Sequence, residues 1–267
     1  MSKLRVLDLF SGIGGFSLGL ERTGGFETVA FCEIDPFCRR VLAKHWPDVP
    51  CYEDVRTLTA DALCRDGIAV DVICGGFPCQ DISSAGNRAG IDGDRSGLWS
   101  EYARLIREIR PQFALVENVA DLLGFGLDRV LGDLAEIGFD AEWHAIPACA
   151  LGAPHERDRV WVIAYAEGQR RGSRRARGSS GGASRKAKQT HRTPTDAPQM
   201  LGRALLWQQQ DRALRSHWRT HWAEYAASLR GMDDGVRGRV DGLSALGNAV
   251  VPQIPEMIGR AILEQRT

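Results

Sequence analysis

The apolar residues of the first 165 positions fall into short continuous runs that alternate with longer stretches of helical spacing. Runs typical of buried strands occupy residues 4–10, 28–33, 70–74, 113–117, 143–146 and 159–165. Helical patterns follow a Gly-rich turn near residue 15 and recur over residues 36–45, 98–109 and 127–137. Strands that alternate with helices in this way predict an α/β fold with a doubly wound, mostly parallel sheet.

Capping residues support the helix assignments. Asp35 can accept hydrogen bonds at the start of the second helix, and Pro36 suits its first turn. Gly138 can end the helix over residues 127–137, because glycine readily adopts the left-handed conformation that closes many helices. The alternation gives no place to a last helix after Pro252, and we expect this helix to pack back on the first part of the chain.

Composition divides the chain into three parts, which we predict to span residues 1–165, 166–235 and 236–267. Residues 167–199 are rich in Arg, Ser, Gly and Pro and contain almost no large apolar side chains, as in a solvated, partly disordered loop. Residues 200–230 regain aromatic side chains and are predicted to form a short helical module.

Charge is balanced over the whole chain but not along it. The 34 Lys and Arg residues equal the 34 Asp and Glu residues, so net charge alone does not indicate a nucleic-acid partner. Residues 167–192, however, contain nine basic residues and one acid. A basic segment on an acidic body predicts local contact with an anionic partner.

The seven cysteines form no CxxC pair and no metal-like Cys/His spacing. His155 has no partner at ligand spacing either, so no metal site is predicted. An odd number of unpaired thiols is typical of a reduced, cytoplasmic protein. The chain enters a strand pattern at once, without a signal peptide, and no apolar run approaches the ~18 residues that span a bilayer. We therefore expect a cytoplasmic protein without membrane contact.

Cys79 differs from the other cysteines in its position. It follows a strand and a Gly-Gly-Phe-Pro turn, and Glu117 ends the next predicted strand. The carboxyl ends of parallel strands form the ligand crevice of such folds, so the sequence predicts that a thiol and a carboxyl group meet there. A thiolate beside a carboxyl group that can move a proton suggests covalent catalysis. Taken singly, Cys79 is also compatible with an inert buried thiol and Glu117 with a surface acid.

A second set of residues predicts a cofactor pocket. The turn within residues 8–15 places Gly12, Gly14 and Gly15 between a strand and a helix, where exposed amides suit a polar or anionic group. The turn lacks a full GxGxxG pattern. Glu33 ends the second strand, where an acid binds ribose hydroxyls in dinucleotide-binding folds. Together these residues favour an adenosine-type cofactor, although a tight turn and a surface acid without a ligand are alternatives.

Arg157 and Arg159 lie two residues apart in a segment that is predicted to be extended. Side chains alternate along a strand, so the two guanidinium groups are expected to share one face. The sequence leaves open whether they serve a site or form salt bridges at a strand edge.

In their order and spacing, these motifs resemble those of the DNA (cytosine-5)-methyltransferase family. The resemblance covers most of residues 4–165 and then residues 236–262. It rests on the cofactor motifs at 8–15, 31–35 and 54–55, on Gly-Phe-Pro-Cys-Gln at 76–80, on Glu-Asn-Val at 117–119 and on Gly-Asn-Ala-Val-Val-Pro at 247–252. The resemblance implies the Rossmann-like fold of class I S-adenosylmethionine-dependent methyltransferases. Residues 1–165 would form its catalytic domain, 166–235 a target-recognition region, and 236–267 a closing segment.

The resemblance also implies roles for individual residues. Cys79 would attack carbon 6 of a cytosine flipped out of duplex DNA, Glu117 would supply a proton to the ring, and Arg159 and Arg157 would orient the base. The implied methyl donor is S-adenosylmethionine. Cofactor contacts are implied for Phe10, Gly12, Gly14, Gly15, Glu33, Ile34, Asp54, Val55, Pro78, Leu98, Asn248 and Val250. DNA contacts are implied for Gln80, Ser83, Ser84, Arg170, Arg171, Arg174, Arg175 and Arg177.

The expected partner is double-stranded DNA in a restriction-modification system, with a monomeric enzyme and no obligate protein partner. Two features depart from the family pattern. The Gln-Arg-Arg-x-Arg motif reads His-Glu-Arg-Asp-Arg at 155–159, and the variable region is short. Two alternatives stay open: a catalytically silent DNA-binding protein on the same fold, and an RNA cytosine-5 methyltransferase acting on tRNA. An amino-methylating enzyme is disfavoured, because such enzymes resemble a polar-Pro-Pro-aromatic pattern that this chain lacks at 77–80.

Overall fold

The computed structural model describes residues 2–78, 97–151, 157–166 and 247–266. A seven-stranded sheet runs through them in the order β3-β2-β1-β4-β5-β7-β6. Strands β1 to β5 pair in parallel, and β7 is antiparallel to both of its neighbours. This arrangement confirms the predicted doubly wound, mostly parallel sheet. The strands are β1 (Leu4–Leu9), β2 (Phe26–Cys32), β3 (Cys51–Tyr52), β4 (Val72–Gly76), β5 (Phe113–Val119), β6 (Phe139–Ile146) and β7 (Arg159–Ala166).

Helices cover both faces of the sheet. They are α1 (Gly15–Glu21), α2 (Pro36–His45), α3 (Ala60–Arg65), α4 (Leu98–Ile109), α5 (Leu122–Phe125), α6 (Leu127–Ile137) and α7 (Gln253–Arg266), with a 3-10 turn at Ala148–Leu151. Buried side chains of α3, α4 and α6 pack on one face, and those of α1 and α7 pack on the other. No helix in the described ranges is both long and apolar enough to cross a membrane.

The central strands are apolar on both sides, and their side chains divide by period two between two cores. In β5, Ala114 and Val116 join the core under α4 and α6, whereas Phe113 and Leu115 join the core under α1 and α7. Each buried Val, Leu, Ile or Phe side chain contributes about 1.5–3 kcal/mol relative to its exposure to water. The continuous apolar runs in the sequence reflect this burial on both faces.

Local signals set several element ends as predicted. The carboxylate of Asp35 accepts hydrogen bonds from the backbone N–H groups of Phe37 (2.7 Å) and Cys38 (3.0 Å), and Pro36 begins α2. Gly138 ends α6 in the left-handed conformation, with φ 90°. The sequence analysis missed the two-residue β3 and the six-residue α3, which are too short to show a period.

Three predicted strand starts need correction. Strand β2 begins at Phe26, two residues before the predicted start. Strand β4 begins at Val72, because the N–H of Asp71 bonds to a carbonyl of β1 outside the parallel register. Strand β6 begins at Phe139, four residues before the predicted start, because its full length pairs with β7. The sequence hid this extension because β6 is an edge strand, where exposed and polar side chains interrupt the apolar pattern.

Candidate active site

The carboxyl ends of the parallel strands meet at one edge of the sheet. From β1 the chain proceeds outward to β2 and β3, whereas β5 lies beyond β4 on the opposite side. Such a reversal leaves a crevice between the turns that follow the two central strands. Several of the predicted cofactor residues follow β1, β2 and β3 at this edge. Glu117, near the end of β5, and Arg159, at the start of the antiparallel β7, lie at the same edge.

The turn after β1 has a left-handed backbone at three positions. Phe10, Gly12 and Gly14 have φ values of 51°, 54° and 85°. At Phe10 this conformation costs about 1–2 kcal/mol, because Phe carries a Cβ. The Ser11 hydroxyl stabilises the turn by donating to the Asp8 carbonyl oxygen at 2.6 Å. Strain of this kind concentrates at functional sites, and Phe10 is a predicted cofactor residue.

Glu33 joins the turns after β1 and β2. One carboxylate oxygen accepts a hydrogen bond from the backbone N–H of Gly12 at 2.7 Å, and the other accepts one from Asp35 at 2.7 Å. A carboxylate has about four acceptor sites, so both oxygens can accept further bonds. The structure thus brings Glu33 and the Gly-rich turn together, as predicted for a ribose-binding acid, and the cofactor contact itself stays a prediction.

Gly14 and Gly15 make room for other parts of the protein. A Cβ on Gly14 would lie 2.7 Å from the ring of Trp46, and a Cβ on Gly15 would lie 2.5 Å from the carbonyl oxygen of Val250. Both positions therefore have a packing reason to be glycine, in addition to the predicted cofactor role. Val250, another predicted cofactor residue, adjoins the start of α1. The sequence analysis missed Trp46, whose indole N–H donates to Glu21 at 3.0 Å.

Asp54, Val55 and Ile34 differ widely in exposure. The Arg56 guanidinium donates to both oxygens of Asp54, through Nε at 3.0 Å and Nη2 at 2.8 Å. This bonding lowers the pKa of Asp54, so its carboxylate stays charged and can accept from an amine. Val55 is buried in the core. Ile34 is 59% exposed at the end of β2 and offers an apolar surface there.

Four aromatic rings connect the turn after β1 with the turn after β4. Phe10 stacks on Tyr102, Tyr102 stacks on Trp99, and Trp99 contacts Phe77, with ring centroids 6.4, 5.6 and 5.5 Å apart. Leu98, a predicted cofactor residue, begins α4 and packs against the same core. No single sequence motif could reveal this column, because its rings come from three separate segments.

Glu117 and Arg159 form an ion pair across β5 and β7. Arg159 Nε lies 2.9 Å from Glu117 Oε1, and only 12% of the Glu117 side chain is exposed. Burial raises the pKa of Glu117, although the charges of Arg159 and Arg157 oppose this shift. A carboxyl group with a raised pKa can hold a proton and deliver it to a bound base. The structure thus brings Glu117 and Arg159 together.

Gly76 lets the Glu117 carboxylate lie directly over the end of β4. The two residues are register partners in the parallel pair β4–β5. A Cβ on Gly76 would lie 2.5 Å from Glu117 Oε2. Close approach to protein atoms therefore explains the glycine at 76. For Gly75 the neighbour is the Leu9 carbonyl oxygen, 2.2 Å from a Cβ built there.

Asn118 holds the turn that leads to Cys79. Its buried amide donates from Nδ2 to the Phe77 carbonyl oxygen at 3.1 Å, and its Oδ1 accepts from the backbone N–H of Val119 at 2.8 Å. Pro78, a predicted cofactor residue, follows Phe77 and is half-buried. The sequence analysis placed Asn118 in a motif without giving it a role.

The predicted nucleophile and all predicted DNA contacts lie outside the described residues. They are Cys79, Gln80, Ser83, Ser84, Arg170, Arg171, Arg174, Arg175 and Arg177. The described chain reaches Pro78, directly before Cys79.

Arg157 does not continue the extended segment that begins at Arg159. Its φ is 40°, in the left-handed region, so the expected two-residue alternation does not reach it. Its guanidinium donates to the carbonyl oxygens of Gly247 and, at 2.8 Å, Ala249. Asn248, a predicted cofactor residue, is exposed between these two carbonyls.

Asp8 is a buried acid within the first predicted cofactor motif. It is 1% exposed, and one carboxylate oxygen accepts from the Ser17 hydroxyl at 2.7 Å. Burial raises the pKa of Asp8 to about 7. Within the described ranges, no group of three or more His, Cys, Asp and Glu side chains could hold a metal ion.

The fold and this crevice define the α/β class that class I methyltransferases share. Residues 4–228 match the family described as C-5 cytosine-specific DNA methylase, and the chain belongs to this family. It is 37% identical over 169 residues to the type II methyltransferase M2.BsuMI of Bacillus subtilis, and this alignment covers 60% of this chain and 42% of that protein. It is 30% identical over 176 residues to the type II methyltransferase M.AquIA of Picosynechococcus, and this alignment covers 60% of this chain and 71% of that protein.

Solved structures give the same result for the fold. An E. coli prophage protein, crystallised as a candidate DNA modification methyltransferase, aligns with TM-score 0.53 and 30% identity over 61% of this chain and 47% of that chain. Dnmt2 of S. pombe aligns with TM-score 0.52 and 23% identity over 61% of this chain and 51% of that chain, which supports the fold alone. The chain spans less than half the length of the first curated relatives that it matches.

Proposed function

We propose that this protein transfers a methyl group to carbon 5 of a cytosine in double-stranded DNA. The observation that carries the proposal is the buried Glu117 carboxyl group, which is paired with Arg159 and lies over the end of the strand that leads to Cys79. Carbon 5 of cytosine is itself a poor nucleophile. The methyl transfer therefore needs a thiol that adds to the ring and a proton donor beside that thiol. Membership of the cytosine-specific family supports the same reaction.

In the proposed mechanism the Cys79 thiolate forms a bond to carbon 6 of the ring. The electron pair that this displaces is stabilised when Glu117 gives a proton to the ring nitrogen, and the raised pKa of Glu117 favours that transfer. Carbon 5 then becomes nucleophilic and accepts the methyl group. Loss of the carbon-5 proton to a base and cleavage of the bond between sulfur and carbon 6 regenerate the thiolate. The ring nitrogen returns its proton to Glu117, and 5-methylcytosine is released. Arg159 orients the base through its donors and holds Glu117 in place.

The residues at the crevice fit S-adenosylmethionine. Glu33 offers carboxylate acceptors at the end of β2, as ribose hydroxyls require. The charged Asp54 can accept from the adenine amine, and the exposed Ile34 side chain can cover a ring. At Gly12 a Cβ would meet nothing within 4 Å, which leaves open space beside the turn. When bound, S-adenosylmethionine supplies an electrophilic methyl group.

The DNA part of the proposal rests on the basic segment at residues 167–192 and on the family. Its Arg and Lys side chains would neutralise phosphates, a contribution that does not depend on sequence and weakens with salt. The target base would have to leave the helix stack, at a cost of a few kcal/mol. We propose that the enzyme acts as a monomer in a restriction-modification system.

The test is transfer of labelled methyl groups to mixed-sequence duplex DNA and, in parallel, to tRNA, with products located by bisulfite sequencing. Cys79→Ala should abolish transfer, whereas Cys64→Ala, which removes an exposed thiol on α3, should leave it unchanged. Glu117→Gln should lower the rate by roughly 10²–10⁴-fold, because it removes the proton donor but keeps the side-chain shape. Glu136→Gln, at an exposed position on α6, is its control.

Each outcome has a distinct meaning. Label at carbon 5 in one short DNA context, lost in Cys79→Ala, would support the proposal. Label on tRNA alone would establish an RNA cytosine-5 methyltransferase. DNA binding without transfer to either substrate would establish a silent DNA-binding protein.

A further inference from the structure

We propose that Arg157 is a positioning residue for the cofactor side of the site rather than a residue that touches the target base. The inference rests on the proposed function. Arg157 holds the segment Gly247–Val250 against the start of β7, and this segment adjoins the Gly-rich turn. Arg159, two residues later, pairs instead with Glu117, the proposed proton donor to the base. One short stretch of chain thereby links the two halves of the site.

The first support is the bonding of the guanidinium group. Arg157 Nη1 donates to the Gly247 carbonyl oxygen, and Nη2 donates to that of Ala249 at 2.8 Å. These contacts join positions 90 and 92 residues apart in sequence. A planar guanidinium suits two parallel acceptors, and both bonds are charge-assisted. Arg157 therefore fixes the backbone on either side of Asn248.

The second support is where the held segment leads. The Val250 carbonyl oxygen lies 2.5 Å from a Cβ built on Gly15, the first residue of α1. Gly15 directly follows the turn that Glu33 binds through Gly12. The segment thus runs from Arg157 to the crevice end of α1, on the side where the cofactor residues collect.

The third support is that the last helix does not need Arg157 for its own attachment. Ile254, Met257, Ile258 and Ile262 are buried against the core under α1. Gly19 of α1 also leaves room for the Pro252 carbonyl oxygen, 2.1 Å from a Cβ built there. The two Arg157 bonds hold the residues that precede this helix. Their loss should therefore loosen the backbone beside the crevice and leave the helix packed.

The backbone of Arg157 agrees with a specific role. A left-handed φ of 40° at a residue with a long side chain is unfavourable, so surrounding contacts must hold it. This conformation changes the direction of the chain before β7 begins. Arg157 therefore lies outside the extended strand that begins with Arg159. The charge of Arg157 still reaches Glu117 and opposes the rise in the pKa of Glu117 that burial causes.

The test uses the full-length protein and three readouts. Amide hydrogen exchange without any added molecule reports how firmly residues 247–252 are held. Calorimetry measures the Kd for S-adenosylhomocysteine and so reports on the cofactor side of the site. Covalent capture by duplex DNA that carries 5-fluorocytosine, measured at saturating S-adenosylmethionine, reports the base side, because after methyl transfer the fluorine at carbon 5 cannot leave as a proton. The variants are Arg157→Ala, Arg157→Lys and Arg159→Ala, with Arg260→Ala on α7 as a matched control.

Arg157→Ala should speed exchange at 247–252 severalfold and leave α7 unchanged. It should raise the Kd for S-adenosylhomocysteine and the KM for S-adenosylmethionine by about tenfold, with kcat at saturating cofactor changed little, since about 1.4 kcal/mol of lost bonding corresponds to a factor of ten. Arg157→Lys should produce smaller increases in exchange rate and in Kd, because an ammonium group can reach one carbonyl. Arg159→Ala should leave exchange and Kd unchanged and suppress DNA capture.

Unchanged exchange and Kd in Arg157→Ala, together with lost DNA capture, would overturn the inference and assign Arg157 to the base. If Arg157→Ala does not fold, the same comparison is decided with Arg157→Lys. If the parent binds S-adenosylhomocysteine but methylates no nucleic acid, the proposed function fails while the Kd comparison still tests Arg157. If the parent does not bind it, the cofactor role is refuted, and the exchange result still tests the contact with 247–249.

Discussion

Replacing Asp8 by Asn should stabilise the protein, and the gain should grow with pH. Asp8 Oδ2 accepts hydrogen bonds from the Ser17 hydroxyl at 2.7 Å and from the Ser17 backbone N–H at 3.3 Å. An Asn Oδ1 can accept both bonds. Its Nδ2 amide can donate to the sulfur of Cys74, whose thiol now donates to Asp8. The substitution therefore removes the titrating group while its neighbours keep their partners.

The magnitude follows from the pKa of the buried carboxyl group. Burial raises it from 3.8 to about 7, the nearby charge of Glu33 adds to the shift, and the bonds from Ser17 and Cys74 oppose it. Because the folded-state pKa lies above the unfolded value, the penalty is absent below about pH 4 and increases as pH rises to about 7. Above that range it levels at about 4 kcal/mol, from about 1.4 kcal/mol for each pH unit.

Urea unfolding of the parent and of Asp8→Asn at several pH values between about 4.5 and about 8 measures this effect. The difference in the free energy of unfolding should rise steadily in favour of the variant up to about pH 7 and then stay constant. Asp140→Asn, which removes an exposed acid on β6, is the control and should show no comparable slope. A difference that is independent of pH would refute the reasoning, because it would mean that Asp8 does not change its protonation in this range.

Three further substitutions test how the site is held together. Gly76→Ala should lower the methyl-transfer rate at least tenfold, measured with labelled S-adenosylmethionine, because its Cβ would lie 2.5 Å from Glu117 Oε2. Gly15→Ala should cost about 1–3 kcal/mol in urea unfolding, because its Cβ would lie 2.5 Å from the Val250 carbonyl oxygen. Asn118→Asp should cost about 1–3 kcal/mol and slow capture by 5-fluorocytosine DNA, because a carboxylate would face the carbonyl to which the amide now donates.

Glycines elsewhere in the chain provide the controls. A Cβ on Gly132 of α6 would meet nothing within 4 Å, so Gly132→Ala should stabilise the protein by about 0.5–1 kcal/mol and leave transfer unchanged. Gly12 also has open space but a φ of 54°, so Gly12→Ala should cost about 1 kcal/mol through strain alone. If the Gly15 and Gly76 variants behave like Gly132→Ala, the close contacts at those sites are misjudged. If Asn118→Asp is as stable as the parent, the Asn118 amide does not donate the buried hydrogen bond to Phe77 that the structure shows.

The sequence was sufficient where a physical constraint is local. Continuous apolar runs reflect strands buried on both faces. Asp35, Pro36 and Gly138 set helix ends through hydrogen bonds and φ angles that involve only near neighbours. The meeting of Glu117 with the end of β4 was also predictable, because parallel strands bring their carboxyl ends to one edge.

The sequence was insufficient where a contact joins distant segments. Nothing in the residues around Arg157 indicates a left-handed backbone or a bond to a carbonyl 92 residues away. The extended pattern suggested instead that Arg157 and Arg159 act together. Likewise, the packing of Trp46 on Gly14 depends on how α2 crosses the turn after β1, which only tertiary structure determines.

The pairing of β4 with β5 relates the proposed proton donor, Glu117, to the chain that leads to the proposed nucleophile, and it does so through two consecutive residues. Glu117 lies over Gly76, and Asn118 binds the carbonyl of Phe77, so two neighbours on β5 contact two neighbours at the end of β4. A shift of one strand along the other would break both contacts at once. The distance between the carboxyl group and the chain that enters Cys79 is therefore set by strand register in the rigid core.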